Sequence, residues 1–187
     1  MKVTAIIPAR GGSKRLKNKN IYPVWGMPML YWSIKACNDS KHNISVWVTT
    51  DSEEIAVVAK SFGAKIINRD QTTSNDLVYK QVAIREAASK IDQLEKPSDI
   101  YISLQPNSPE ILSHHLDEAI EKLLFHNKDE MISADSNLLQ NGAFRIFRGK
   151  YVYQQDLSTN CGFIVCDLHD IHTKEDVEFL ESKVKKQ

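Results

Sequence analysis

The sequence has no net charge: its 187 residues hold 24 basic and 24 acidic side chains. The global field that draws a protein onto nucleic acid or an anionic membrane is therefore missing. Long apolar runs are missing too. The segment from Val3 to Ala9 is far shorter than a membrane span and ends at Arg10 without a signal-peptide cleavage pattern, so no membrane partner and a cytoplasmic location are expected. Cysteine is scarce, at three residues. Cys161 and Cys166 lie close together in an apolar run, but no second Cys/His pair completes a zinc site, so the thiols are read as reduced and structural. Repeats, low-complexity stretches and linkers are also absent. At this length the chain is expected to form one domain, residues 1–187, around one hydrophobic core.

Against that neutral background, the stretch "IIPARGGSKRLKNKN" concentrates positive charge just after a short apolar run. Charge that is local suits a small anion. Gly11 and Gly12 let the backbone approach a ligand, and Arg10, Lys14, Arg15, Lys17 and Lys19 can neutralise a triphosphate. The spacing is neither the P-loop pattern nor the dinucleotide fingerprint. From residues alone, a phosphate-holding loop and a solvated basic turn both stand.

Hydrophobic patterning supplies the fold class. Val3–Pro8 reads as a buried parallel strand, and residues 28–40 as a helix with proline in its first turn. Ser45–Thr50 reads as a second strand, followed by a helix capped by Ser52 and ended by Gly63. "AKIIN" is a third strand, and a helix runs from Ser74 or Asn75 to about Lys90. Next come the strand "DIYISLQ", a helix "HHLDEAIEKLLFH" capped by Ser113, and the strand "EMISA". Strands alternating with helices predict an α/β, doubly wound and mainly parallel sheet. After Ala134 the pattern turns to short β-like pieces, "GAFRIF", "YVYQ" and "CGFIVCD", which form a small β-rich addition at about residues 135–169. A final helix begins near Thr173, with Val177, Leu180 and Val184 on one face.

Ligands of such sheets sit at the C-terminal ends of the strands. That rule selects residues 8–20, 49–51, 68–75 and 105–109, and the approach to Asp170. Asp51 fits a capping role at least as well as a ligand contact, and Gln105 fits backbone satisfaction before Pro106 as well as binding. His114, His115 and His126 read as a solvated helix face.

"IIPARGGSKRLKNKNI" resembles the N-terminal signature of the acylneuraminate cytidylyltransferase family, the CMP-sialic acid synthetases and their legionaminic and pseudaminic acid relatives. "GMPMLYWSIKAC", "VTTDSEEIAVVAKSFGAKII" and "LQPNSP" are similar to later family segments in the same order, and "DIHTKEDVEFLE" is similar to the family's "DIDTEEDF". The resemblance implies a Rossmann-like fold of the nucleotide-diphospho-sugar transferase type. It also implies a reaction that joins CTP to a 2-keto sugar acid and releases pyrophosphate, with Mg2+ or Mn2+. It assigns phosphate and catalytic roles to Arg10, Lys14 and Lys19, within a nucleotide-binding set that also holds Ala9, Gly11, Gly12, Asn20, Arg69 and Ser74. Gln105 falls to the sugar, and Asp170 with His172 to the metal, Asp170 also counting among the catalytic residues.

Three departures accompany the resemblance. The family's Asp-x-Asp is Asp170-Ile171-His172 here, Glu110 and Ile111 stand where an arginine often follows the "TSP" turn, and the stretch before Asp170 is short. In the family a longer excursion there helps form a homodimer, so the implied dimer region is shortened. Transfer to another sugar, such as a Kdo-type acid or a sugar phosphate, and a catalytically weakened nucleotide-binding homologue are the competing readings. Zero net charge and a basic loop without interleaved aromatics disfavour a nucleic-acid partner.

Overall fold

The computed structural model describes residues 1–69 and 80–184. β1 (Val3–Pro8) lies inside the sheet because its apolar run can be buried on both faces. The chain then turns through a 3-10 segment at Lys19–Ile21 and a small ribbon, β2 (Pro23–Val24) with β3 (Met27–Pro28). Trp25 and Gly26 both have positive φ, +51° and +77°, the backbone of a two-residue hairpin turn. There follow α1 (Met29–Asn38), β4 (Ser45–Thr50), α2 (Glu53–Ser61), β5 (Lys65–Asn68), α3 (Lys80–Leu94), β6 (Ile100–Leu104), α4 (Ser113–Phe125) and β7 (Glu130–Ala134). β8 (Gln140–Arg148), β9 (Cys161–Val165) and α5 (Lys174–Val184) complete the described chain.

Among the described residues the main sheet has the order β5-β4-β1-β6-β8-β7-β9. β1 pairs in parallel with β4 and β6, β4 with β5, and β7 with β9; β8 runs antiparallel to both its neighbours. The sheet is thus the mainly parallel one that the strand–helix alternation predicts. Alternation along β1 sends Val3, Ala5 and Ile7 into one apolar layer with α1, α2 and α4, and Ile6 into the opposite layer with α3. A third cluster joins Leu16, Met29, Ile171, Val177 and Leu180, so that α5 is fastened beneath the loop that follows β1.

Several expected boundaries move. "YVYQ" is not a strand: Gly149–Tyr153 forms a 3-10 turn. Gly149 enters it at φ +41° with its N–H on the Asp99 carbonyl, and the Tyr153 hydroxyl donates to Asp92 Oδ2 at 2.6 Å, which draws the segment onto α3. α1 starts only at Met29, because Pro28 keeps extended backbone at the N-cap. Ser113 lies inside α4 rather than capping it; the N-cap is Leu112, whose N–H donates to His115 Nδ1 at 3.1 Å. His115 is therefore an end-of-helix acceptor, not part of a solvated face. The Ser52 cap and the Gly63 stop are present as expected, the serine oxygen accepting from Ile55 N–H and the glycine at φ +85°. Thr173 Oγ1 accepts the Asp176 N–H ahead of α5. The helix start at Ser74 or Asn75 lies outside the described residues. All three cysteines are free, with Cys37 and Cys166 buried and Cys161 partly so. Among the described residues no helix is long and apolar enough to cross a membrane.

Candidate active site

Because β8 alone runs against the others, the C-terminal ends of β1, β4, β5, β6 and β9 open on the same edge of the sheet. A cleft of about 480 Å³ lies there. Arg69 reaches it from just after β5, and His172 from the segment between β9 and α5, which returns to the turn after β6.

The loop after β1 is held by backbone bonds at three points. Ala9, fully buried, donates its N–H to the Thr49 carbonyl at 3.0 Å. The Gly11 N–H donates to Asp51 Oδ1 at 2.7 Å. Buried Asn20 closes the turn by donating from Nδ2 to the Arg10 carbonyl at 2.8 Å. Glycine is needed at both loop positions for different reasons. A Cβ at Gly11 would stand 3.2 Å from Ser52 Cβ, and Gly12 sits at φ +65°, where side chains are strained.

With the loop fixed, Arg10, Lys14, Arg15, Lys19 and Arg69 all line the cleft. Lys17 is exposed and is not among the lining residues. Burial lowers the Lys19 ammonium below its usual range, and Arg15 and Arg10 push the same way, while Asp170 opposes them. Burial also lowers Arg69, against Asp51 and Glu86. Cations crowded this closely repel one another, and a bound polyanion relieves that repulsion.

Across the cleft, the turn after β6 is stitched to the segment that leads into α5. Ile171 N–H donates to the Asn107 carbonyl at 2.8 Å, and Asn107 Nδ2 donates back to the Ile171 carbonyl at 3.4 Å. The fully buried Ser108 hydroxyl donates to Asp170 Oδ1. Asp170 is half-buried beside the cleft and close enough to Lys19 to raise its pKa, although it is not among the lining residues. His172 does line the cleft, with Nδ1 3.2 Å from Arg15 Nη2. Burial, then Lys19 and Arg15, lower its pKa and favour the neutral ring. Gln105 lines the cleft as well, and its Nε2 donates to the Gly142 carbonyl.

The sequence-selected residues Arg10, Lys14, Lys19, Asn20, Arg69, Gln105 and His172 thus share one cleft; Ala9, Gly11 and Gly12 belong to the loop that carries its cations without lining it, and Asp170 lies beside it. Ser74 lies outside the described residues. Sequence reading did not find the Asp51 contact to Gly11, the Ser108 contact to Asp170 or the meeting of Arg15 with His172. Only the place of Asp51 at a strand's C-terminal end hinted at the first. Among the described residues no group of three or more His, Cys, Asp or Glu could cage a metal. Asp170 offers a hard carboxylate oxygen, which suits a divalent ion shared with a polyphosphate ligand.

A profile described as "Cytidylyltransferase" matches residues 4–158. The N-acylneuraminate cytidylyltransferase A of Danio rerio is 38% identical over 131 residues, 70% of this chain and 30% of that protein. A pseudaminic acid cytidylyltransferase of Campylobacter jejuni is 32% identical over 135 residues, 72% of this chain and 58% of its own length. The match thus spans less than two thirds of either relative. Among solved structures, a CMP:2-keto-3-deoxy-manno-octonic acid synthetase complexed with CTP has a similar fold, with a TM-score of 0.79 at 16% identity. That similarity covers 100% of this chain and 99% of the other.

Proposed function

This chain belongs to the cytidylyltransferase family, and on that premise we propose that it transfers a cytidylyl group from CTP to a sialic-acid-like 2-keto sugar acid. Residues 1–187 act as one such domain. The observation that carries the reading is the gathering of Arg10, Lys14, Arg15, Lys19 and Arg69 on one cleft at the C-terminal edge of the sheet. A triphosphate needs charge of that density, and phosphoryl transfer asks the protein for positioning and electrostatics rather than covalent chemistry.

In this reading the anomeric hydroxyl oxygen of the sugar acid forms a bond to the α-phosphorus. The bond from that phosphorus to the bridging oxygen breaks, pyrophosphate leaves with the electron pair, and the hydroxyl proton passes to water. Arg10, Lys14 and Lys19 hold the phosphates and oppose the charge that grows on the leaving group. Asn20 and Arg69 serve the cytidine side, and Gln105 faces the sugar. A divalent ion, Mg2+ or Mn2+, would be held by Asp170 with the nucleotide's own phosphates and water, and it neutralises phosphate charge when bound. His172 is a poor companion ligand while Arg15 donates to its Nδ1: the proton then sits on Nε2, leaving no lone pair for a metal.

The experiment is a pyrophosphate-release screen of CTP, UTP, ATP and GTP against a panel of 2-keto sugar acids that includes a Kdo-type acid. Release with CTP and a nine-carbon acid, and little with UTP, is expected. Equal use of CTP and UTP would remove the base-side roles of Asn20 and Arg69. The His172 geometry also favours a second reading, a nucleotide-binding homologue with weakened catalysis; CTP binding without pyrophosphate release from any acid would select it.

A further inference from the structure

Arg15 and His172 are 157 residues apart in the chain, yet Arg15 Nη2 meets His172 Nδ1 at 3.2 Å on the wall of the cleft. A guanidinium has donors and no acceptor. The imidazole nitrogen must therefore accept, and the ring in this pairing is neutral. Packing holds the backbone at both positions, while the exposed Arg15 side chain is oriented by the His172 contact. Their chain neighbours Leu16 and Ile171 are buried in the same apolar cluster, and the His172 N–H donates to Asp176 Oδ2 at 2.8 Å in the first turn of α5. A long cationic side chain on a loop would otherwise lose much rotamer freedom when it grips a ligand, and prior anchoring removes most of that cost.

His172 enters the cleft beside the turn after β6, and Arg15 and His172 both lie close enough to Lys19, a residue assigned to the phosphates, to perturb or feel its charge. The charges that act on Arg69, assigned to the base, are instead those of Asp51, Glu86 and Arg10. One bond to His172 occupies one of the five guanidinium donors. We propose that Arg15, positioned by His172, is a fixed cationic arm for the β- and γ-phosphates of the nucleotide, set where the family pattern has a second carboxylate. Positive charge that a carboxylate would recruit as a metal ion is here built into the side chain itself. Arg15 is the binding residue, and His172 is a positioning residue that acts through it. The inference deepens the cytidylyltransferase reading and rests on it for the identity of the nucleotide.

Calorimetric titration of CTP, CMP and inorganic tripolyphosphate, without added divalent ion, tests the arm in wild type, Arg15→Ala, His172→Ala and His172→Asn. Loss of one charge-assisted contact predicts roughly tenfold weaker CTP and tripolyphosphate binding in Arg15→Ala, with CMP changed by less than about twofold. His172→Ala should show much of the same loss although it removes no charge. His172→Asn should recover it, because the asparagine oxygen takes over the acceptor role of Nδ1. Unchanged CTP and tripolyphosphate affinity in Arg15→Ala overturns the arm, and so does an equal loss for CMP. A parallel titration that shows only sugar-acid binding weakened also overturns it, by assigning Arg15 to the sugar carboxylate. Wild type that binds no cytidine nucleotide would refute the cytidylyltransferase reading, while the tripolyphosphate series would still decide for or against Arg15.

Discussion

Asp51 Oδ1 accepts the Gly11 N–H at 2.7 Å, and this bond ties the cationic loop after β1 to the end of β4. The carboxylate also opposes the lowering of the Arg69 pKa, so one residue steadies both the loop and a cation of the cleft.

Removing that acceptor should loosen the loop more than the fold. Asp51→Ala is expected to raise the KM for nucleotide about tenfold, on the scale of a lost hydrogen bond to a charged group. Asp51→Asn keeps an acceptor oxygen and should lie near wild type. Steady-state kinetics with CTP check this, and identical KM values for Asp51→Ala and wild type would confine Asp51 to a structural part.

Lys19 is held below its usual pKa by burial, then by Arg15 and Arg10. Phosphates brought beside it would raise that pKa again, so binding in the alkaline range should take up a proton. Calorimetry in buffers of different ionisation enthalpy reads the uptake, which should vanish in Lys19→Ala. The same variant should lower kcat by about a hundredfold if Lys19 opposes charge that develops on the leaving group. Unchanged turnover would return the lysine to a solvated surface.

The Ser108 hydroxyl fixes one oxygen of Asp170. Partners of this kind tune metal ligands by about ten- to a hundredfold in affinity. Ser108→Ala should accordingly raise the Mg2+ concentration for half-maximal activity by roughly tenfold, leaving metal-free CTP binding as it was. A shift in CTP binding with no change in the Mg2+ curve would place Ser108 on the nucleotide side instead.

His115 accepts the Leu112 N–H through Nδ1, and burial, then His114, lowers its pKa from the ordinary 6.5, against Glu118. The unfolded chain therefore binds a proton at higher pH than the folded one. The contribution of His115 is whole above the ordinary imidazole value and is lost as pH falls through the folded pKa. Urea midpoints on either side of that range should fall further in wild type than in His115→Gln. Parallel pH profiles would remove His115 from the cap.

Buried Glu130 and partly buried Arg145 pair at 2.7 Å on β7 and β8, and the guanidinium also lies 4.9 Å from the centre of the Phe147 ring. Breaking such a pair from one side leaves a buried charge and costs about 3–5 kcal/mol. Arg145→Met should lower the thermal midpoint sharply, and adding Glu130→Met should restore part of the loss. A double variant less stable than the single would show that the pair is favourable in its own right.

Much of the fold was legible because burial writes a period into the chain. The two-sided run of β1, the serine cap of α2 and the "EMISA" strand depend on neighbours a few residues away, and the structure places them where the pattern does. "YVYQ" misled because its tyrosines carry β-propensity, while Gly149 and the Tyr153–Asp92 bond decide its conformation. The cations of the loop were legible as composition, and the rule about strand ends indicated where they face.

By itself, the sequence determined the alternating α/β pattern, the neutral surface charge and the basic glycine loop, since each is a property of local residues. Tertiary structure alone decided that Asp51 holds Gly11, that Ser108 holds Asp170 and that His172 takes Arg15, pairs 40, 62 and 157 residues apart. No local period records such a meeting. It exists only because parallel strands carry distant loops to one edge of the sheet and a buried cluster of Leu16 with Ile171 brings the last two together.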